Sequence, residues 1–149
     1  MARLLRIDEI DRIKEIYKGH QKVHNADEIW RVYREDIKDR INKDVFIAIC
    51  EKGNEIISIA TLALVKLPIN KWNYKTSGVC GEISFVHTLQ EYRCNGYAEK
   101  CLIELISIAN SKGINYIYLW STSIAERLYR KLGFKEEDNT VYLEIYKEI

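Results

Sequence analysis

The sequence predicts an α/β domain: a mixed sheet with helices on both of its faces. Three observations favour this class. Segments with helical period alternate with β-branched runs along the chain. One strand is followed directly by a turn and a long helix. The 149 residues fit the usual size of one domain, and no repeat or Pro/Gly-rich linker divides them. We therefore expect residues 1–149 to fold as a single domain.

Composition excludes several classes of partner. The chain has 23 basic and 22 acidic residues, a formal net charge of +1. Such a balance creates no strong field for nucleic acid or an anionic membrane. The N-terminal segment is interrupted by charges every few residues, unlike a secretory signal, and no run approaches the roughly 18 apolar residues of a membrane span. We expect a cytoplasmic protein that binds neither nucleic acid nor membranes.

The cysteines do not predict a metal site. Cys50, Cys80, Cys94 and Cys101 contain no CxxC pair, and no histidine cluster lies near them in the sequence. Because nothing indicates secretion, we expect reduced thiols with no role beyond packing.

The first quarter of the chain predicts a short strand and two helices. Residues 3–7 are apolar enough for the strand, and Asp8 is a suitable N-cap for the first helix. The second helix is predicted over residues 26–41, where four apolar side chains recur at four-residue spacing: Ile29, Tyr33, Ile37 and Ile41.

A hairpin and a long loop follow. Residues 45–49 and 56–65 are β-branched runs separated by a polar segment with Gly53, the pattern of two antiparallel strands. Residues 66–78 show no period and contain Pro68, so we predict a loop. Loops of this length often carry function.

The second half alternates strands and helices. Residues 81–88 predict the fourth strand, and an apolar stripe from residue 98 to a stop at Gly113 predicts the long helix. The remaining predicted elements are a strand at residues 115–120, a short helix at 123–132 and a last strand at 141–145.

The turn between the fourth strand and the long helix is the first candidate binding site. Backbone N–H groups in the first turn of a helix have no partner inside it and lie at the positive end of its dipole, where a pyrophosphate can bind. Gly96 and the small Ala98 allow close approach, and Arg93 adds a positive charge. A glycine that only turns the chain, beside a solvated arginine, is the alternative. The candidate ligand-binding residues are Arg93, Cys94, Asn95, Gly96, Tyr97 and Ala98.

Two segments resemble a known family. The spacing of Arg93, Gly96 and Ala98 is similar to the signature of the GNAT superfamily of N-acetyltransferases, which is Arg or Gln, two residues, Gly, one residue, then Gly or Ala. Residues 125–134 (AERLYRKLGF) resemble the same family's A-x-x-L-Y-x-K-L-G-F segment at every fixed position. The resemblance implies a three-layer fold whose mixed sheet splays between its fourth and fifth strands, with acetyl-CoA bound in the cleft as acetyl donor.

Three positions depart from the family pattern. Cys94 stands where relatives often carry Gly, Thr122 where many carry an Asn near the pantetheine arm, and Gln90 where a Pro is common. None of these changes removes a backbone N–H donor, so we expect the cofactor site to survive, with Thr122 among its residues.

The chemistry needs a group that takes a proton from the acceptor. An alkyl ammonium has a pKa of about 10.4, so freeing its lone pair at pH 7 costs on the order of 4.6 kcal/mol. The resemblance favours an acidic base on the fourth strand, which is Glu82; an edge carboxylate paired with a lysine is the alternative. His87 has a suitable intrinsic pKa. In a regular strand, however, it points away from Glu82, and we predict a structural role for it.

The resemblance also implies an acid and a hydrogen-bond donor for the carbonyl. Tyr129 matches the family's general acid, and its phenol pKa near 10 is close to that of a leaving thiol. Packing beside Leu128 and Phe134 is its alternative role. Backbone N–H groups at the splay, near Val86 and Thr88, would hold the developing charge on the carbonyl oxygen without using those side chains.

The sequence leaves the acceptor open between a small-molecule amine and a peptide amine. Aromatic and acidic side chains in the first two helices and the long loop suit a cationic amine: Trp30, Tyr33, Glu35, Asp36, Trp72 and Tyr74. A homodimer is a further expectation that the sequence leaves open, since a strand such as residues 141–145 could pair across chains.

Two hypotheses from other classes compete with acetyl transfer. One is a non-catalytic module that binds an acyl-CoA as a sensor, with Tyr129 in a structural role. The other is an unrelated nucleotide-binding α/β protein, which the absence of a Walker lysine and of a GxGxxG motif disfavours.

Overall fold

Seven strands form one mixed sheet in the order β1-β2-β3-β4-β5-β7-β6, as seen in a computed structural model that describes residues 1–120, 126–137 and 140–145. The strands are β1 (Ala2–Leu4), β2 (Val45–Lys52), β3 (Glu55–Lys66), β4 (Val79–Thr88), β5 (Tyr116–Leu119), β6 (Lys135–Glu137) and β7 (Thr140–Glu144). The helices are α1 (Lys14–Gln21), α2 (Ala26–Lys38), α3 (Tyr97–Ser111) and α4 (Glu126–Lys131). The predicted α/β class is confirmed.

The β2–β3 hairpin and the loop after it follow the prediction. β2 pairs antiparallel with β3 across a two-residue turn in which Gly53 has φ 62°, a conformation that glycine adopts at low cost. Residues 67–78 contain only one short 3-10 turn. Asn73 is fully buried in this loop, where its side chain accepts the N–H of Asn70 at 2.7 Å and donates to the carbonyl of Pro68 at 3.0 Å.

The N-terminal prediction needs correction. The segment Ile7–Ile13 is a 3-10 helix, with Arg6 rather than Asp8 at the N-cap position. The reason is Glu9, which turns inward, is only 5% exposed and accepts the backbone N–H of Arg6 at 3.0 Å. The α-helical geometry begins one turn later, at Lys14.

The first strand, the end of α2 and the strand β6 also differ from the sequence prediction. β1 spans Ala2–Leu4 rather than residues 3–7. α2 ends at Lys38 rather than residue 41, although Ile41 is still buried at 4% exposure. β6 has the sequence KEE and is exposed along its whole length, so no hydrophobic pattern in the sequence predicts this strand. Because β7 lies between β5 and β6, the strand that we considered for pairing across chains is flanked on both sides.

The two faces of the sheet have separate hydrophobic cores. Val45–Cys50 is buried at every position, which is typical of a strand covered on both faces and explains its unbroken apolar run. One face packs on α3, with Leu102 and Leu105 fully buried. The other packs on α1 and α2. In the described ranges, no helix is long and apolar enough to cross a bilayer.

β4 and β5 pair over a short distance and then separate. Their parallel register includes Gly81 opposite Ile117 and Glu82 opposite Tyr118. Within the described part of the chain, residues 83–88 of β4 have no ladder partner on the β5 side, although they continue to pair with β3. The sheet therefore opens between its fourth and fifth strands, as the family resemblance implies.

Candidate active site

A β-bulge interrupts β4 where the sheet opens. Thr61 and Ile59 are two residues apart on β3, but their partners Ser84 and His87 are three apart on β4. The extra residue is accommodated around Phe85, whose φ of 47° lies in the left-handed region that bulky side chains rarely adopt. Such a backbone conformation costs on the order of 1–3 kcal/mol and persists only where the surroundings impose it.

The bulge changes which side chains share a face. Partners across a ladder point to the same side, so Glu82 opposite Ala63 and His87 opposite Ile59 both lie on the face toward α1 and α2. The sequence-based prediction that His87 points away from Glu82 is therefore wrong, because one inserted residue reverses the alternation.

Glu82 lies at the vertex of the opening, beside the last paired position of β5. Its Oε2 accepts a hydrogen bond from the Tyr118 hydroxyl at 3.1 Å, and the side chain is half-buried. Its partner is thus a phenol and not the lysine of our alternative. Burial, followed by the charge of Glu82, raises the pKa of Tyr118 to about 12, so the phenol remains a donor at neutral pH.

Tyr118 belongs to an aromatic cluster that was not predicted from the sequence. Trp72 stacks on Tyr116 with ring centroids 5.2 Å apart, and Tyr116 lies 6.2 Å from Tyr118. The Nζ atom of Lys71 stands 4.4 Å from the Trp72 ring centroid. The alternation of residues 116–119 hints at the cluster, but the partnership with Glu82 depends on the β4–β5 register.

Two histidines meet at the far end of the open segment. The Nδ1 atoms of His20 and His87 lie 3.1 Å apart, which joins the end of α1 to the end of β4. Burial lowers the pKa of both imidazoles, and the nearby positive charge of Lys22 lowers both further. Both shifts favour the neutral form of the imidazoles. The sequence could not indicate this contact, because 67 residues separate the two positions.

The turn before α3 presents free backbone donors. Gly96 is the N-cap residue with φ 81°, and no side chain in the described part of the chain caps the helix. Asn95 Nδ2 donates to the carbonyls of Tyr92 at 3.1 Å and Arg93 at 3.0 Å, and Arg93 Nε donates to the carbonyl of Thr88 at 3.0 Å. The turn is held rigid by these bonds while the first N–H groups of a 15-residue helix stay open. This geometry suits a pyrophosphate.

Conformation explains the residue preferences of this turn. A Cβ on Gly96 would meet no atom within 4 Å, so the glycine is required by its positive φ rather than by space in the free protein. Cys94 has φ 64°, which accounts for the glycine that relatives often carry there. Two lysines not singled out from the sequence stand beside the turn: Lys52 Nζ is 5.6 Å from the Tyr92 ring centroid and Lys100 Nζ is 5.4 Å from that of Tyr97.

Tyr129 lies on the other face of the sheet from Glu82. It is 5% exposed in the core that includes Ile83 of β4 and Leu119 of β5, and its ring is 5.5 Å from that of Phe134. Burial raises the pKa of Tyr129 to about 12, so the hydroxyl keeps its proton. Side chains on opposite faces can reach one substrate only through a gap, and the β4–β5 opening is such a gap.

The other residues predicted to bind the cofactor lie on β4, at the start of α3 or outside the described residues. Val86 packs partly against the α3 core, and the Thr88 hydroxyl lies 2.8 Å from that of Ser58, so the side chains of both are engaged within the protein while their backbone lines the open segment. Ala98 follows directly after the first residue of α3. Thr122, and Ala125 at the start of the second family segment, lie outside the described residues.

Comparisons with known proteins agree with this architecture. A family model described as "Acetyltransferase (GNAT) domain" matches residues 1–136. No curated protein sequence shows a significant match. A predicted acetyltransferase from Clostridium acetobutylicum, solved with acetyl-CoA, superposes with a TM-score of 0.77 at 23% identity, covering 100% of this chain and 94% of the other.

Two other solved structures share the fold. Glucosamine-6-phosphate N-acetyltransferase from Arabidopsis thaliana gives a TM-score of 0.74 at 18% identity, covering 99% of this chain and 97% of the other. PaiA N-acetyltransferase from Thermoplasma acidophilum, in complex with coenzyme A, gives 0.69 at 18% identity, with 97% and 98% covered. With a matching family model over most of its length, the chain belongs to the GNAT family of acetyltransferase domains, which use acetyl-CoA as acyl donor.

Proposed function

We propose that this protein transfers the acetyl group of acetyl-CoA to a primary amine of a small molecule or peptide, by direct attack in a ternary complex. The observation that carries the proposal is the opening between β4 and β5, which has Glu82 on one face and Tyr129 on the other. An acyl transfer needs a proton acceptor on the side of the nucleophile and a proton donor on the side of the leaving group. The two faces supply one each.

The donor site combines the turn with the open edge of β4. Residues 93–98 would hold the pyrophosphate through the free N–H groups of α3 and the charge of Arg93. The backbone of Val86 and Thr88 would bind along the open segment, where an N–H can stabilise charge on the carbonyl oxygen. When bound, acetyl-CoA supplies an activated carbonyl carbon and a thiolate leaving group.

Glu82 is proposed as the group that prepares the amine. Its carboxylate attracts an ammonium and removes the proton, directly or through one water molecule. Tyr118 holds one carboxylate oxygen at 3.1 Å and leaves the other for the substrate. The nitrogen lone pair then attacks the carbonyl carbon.

Tyr129 is proposed as the donor to the departing sulfur. Its pKa of about 12 is higher than the 8.5 of an ordinary thiol, so full proton transfer in water would be unfavourable. A thiolate in the same buried surroundings also has a raised pKa, which reduces the difference. Tyr129 therefore acts first as a hydrogen-bond donor to the developing charge and then as an acid.

The acceptor is proposed to be a cationic amine with an apolar body. A cleft of about 520 Å³ lies against α1 and α2, and its lining includes Tyr17, Tyr33, Glu28 and Asp36. Aromatic faces and carboxylates together favour organic cations. Trp30, by contrast, is 4% exposed and belongs to the core, so we no longer expect it to contact the acceptor.

The test is an assay of thiol release from acetyl-CoA with a panel of primary amines. We expect release that requires an amine, with losses of about 100-fold in kcat/KM for Glu82→Gln and at least about 10-fold for Tyr129→Phe. Glu55→Gln, at an exposed site at the start of β3, is the control and should match wild type. Binding of acetyl-CoA without thiol release for any amine would support the sensor hypothesis instead.

A further inference from the structure

The histidine pair has a geometry that core packing alone does not require. His20 lies with its ring 4.8 Å from that of Phe85, and its Nδ1 points at Nδ1 of His87, 3.1 Å away. Two protonated Nδ1 atoms cannot approach to this distance, so one proton is shared between them. When that proton resides on His87, the Nε2 atom of His87 carries a free lone pair, and His20 fixes this tautomer by accepting the hydrogen bond.

The surroundings keep the pair neutral and able to accept a proton. From α1 and the residue after it, Tyr17 and Lys22 face this region; from the turn before α3, Arg93 does; β3 presents the apolar Ile59. Among the described residues, no carboxylate contributes to the electrostatic surroundings of either imidazole. Burial without a counterion favours the neutral form of an imidazole, which keeps a lone pair that can accept a proton.

His87 and Glu82 lie at opposite ends of the open β4 segment. Glu82 pairs with Ala63 and His87 with Ile59, so four residues of β3 separate them, roughly 13 Å along the strand. Ser84 is exposed opposite Thr61, midway between these two positions, so an amine beside Ser84 would lie roughly 6–7 Å from each strand position. One side chain with one bridging water can span such a gap. Both ends of the open segment therefore carry a candidate proton acceptor on the same face.

We propose that His87, oriented by His20, is a second proton acceptor for the acceptor amine, at the opposite end of the open β4 segment from Glu82. This inference rests on the proposed acetyl transfer. An N–H bond of the ammonium breaks, its electron pair stays on nitrogen, and the proton moves to Nε2 of His87. The Nδ1–H of the resulting imidazolium donates to Nδ1 of His20, and the proton passes to water after the product leaves.

The first test is an NMR titration of the free protein, which is independent of activity. Proton–nitrogen spectra of the imidazoles should show both rings neutral at pH 7, with His87 protonated at Nδ1 and bare at Nε2 for a measurable fraction of molecules. In His20→Gln, the population of that tautomer should change. A His87 that is permanently protonated at Nε2, or that does not respond to the change at His20, would overturn the proposal.

The second test uses kinetics in a background where Glu82 is disabled. Glu82→Gln should retain about 1% of the wild-type kcat/KM. The acid limb of its pH–rate profile should reflect the titration of a histidine. Adding His87→Ala should lower kcat/KM by about a further 10-fold and remove the acid limb. Free imidazole should then raise kcat/KM of the double variant at least about fivefold. His20→Gln in the same background should lower kcat with little change in the KM for acetyl-CoA.

The outcomes separate this inference from the proposed function. If wild type releases no thiol with any amine, the proposed function fails. If wild type is active but the double variant matches Glu82→Gln and imidazole has no effect, the function stands and the inference about His87 is wrong. Thermal unfolding of each variant shows whether it is folded. If the His87→Ala variant does not fold, the His20→Gln variant still tests the role of the histidine pair.

Discussion

Glu9 and Glu82 are both carboxylates on the side of the sheet that faces α1 and α2. They differ in how many hydrogen bonds the protein donates to their oxygens. Glu9 is 5% exposed and accepts four hydrogen bonds, from Arg3 at 2.8 and 2.7 Å, from Arg12 at 2.6 Å and from the backbone N–H of Arg6 at 3.0 Å. The bond from Arg3 first, followed by those from Arg6 and Arg12, holds the pKa of Glu9 well below its usual range.

Glu82 is half-buried, and from the described residues it accepts one hydrogen bond, donated by a phenol. No cation is paired with it among the described residues. A carboxylate whose lone pairs are filled by arginines has nothing left for a substrate, whereas one with a free oxygen beside an opening does. Accessible lone pairs, and not burial or charge alone, therefore distinguish the carboxylate that we propose for catalysis from the one that holds the structure together.

The largest expected effect is on catalysis at Glu82. Glu82→Gln keeps the shape and the Tyr118 contact but cannot accept the proton, so kcat/KM should fall about 100-fold, or about 2.7 kcal/mol. The free energy of unfolding should change by less than about 0.5 kcal/mol. A large loss of stability with unchanged activity would reverse the roles assigned to the two carboxylates.

Glu9→Gln should have the opposite signature. It leaves Arg3 and Arg12 with fewer acceptors, and since both arginines are about one-third exposed, solvent compensates partly. We expect a loss of about 2–3 kcal/mol in urea unfolding, and a kcat within about twofold of wild type for the folded enzyme. An unfolding free energy equal to that of wild type would show that the cluster is dispensable.

The pH dependence of stability should follow Glu9 in the acid range. Because its pKa is lower in the folded than in the unfolded state, its contribution is fully present above the unfolded value of about 4.3 and is lost as pH falls toward the folded value. Wild type should therefore lose more stability than Glu9→Gln between pH 6 and pH 3. Parallel profiles in urea titrations would contradict this.

Tyr118→Phe should have a smaller effect on the same chemistry. It removes the hydrogen bond that orients Glu82, which is worth about 1 kcal/mol, so kcat/KM should fall about fivefold. Tyr142→Phe is the matched control, because its hydroxyl donates to Glu137 instead, at 3.3 Å. Equal losses in the two variants would attribute the effect to the aromatic cluster rather than to Glu82.

The smallest effect is expected at the turn before α3. Cys94→Gly relieves a positive φ and should raise stability by a few tenths to about 1 kcal/mol, with acetyl-CoA affinity within about threefold of wild type. Cys94→Ala removes the thiol and keeps the strain, so it should give no gain. Calorimetry and thermal unfolding of both variants separate conformation from thiol chemistry.

The sequence was sufficient where structure is local. The β2–β3 hairpin, the loop at residues 67–78 and the turn at residues 93–98 follow from glycine, proline and period within a short window. These local signals also give the α/β class. They also predict the strand, turn and helix from β4 to α3, because these three elements are consecutive in the chain.

The rest depends on register and on contacts between distant residues. The Phe85 bulge has no local signal, and it reverses the face of His87. The Tyr118–Glu82 bond depends on how β5 aligns with β4, and the contact between His20 and His87 joins elements 67 residues apart. Periodicity within one segment carries no information about such pairs.

The most direct test is a two-substrate rate study with acetyl-CoA and the best amine of the panel, with products identified by mass. If the proposed direct transfer is correct, thiol and acetylated amine should form in a 1:1 ratio, and double-reciprocal plots should intersect. Thiol release without amine, or parallel plots indicating an acetylated enzyme, would contradict direct attack in a ternary complex. Tight binding of acetyl-CoA with no product from any amine would contradict catalysis itself.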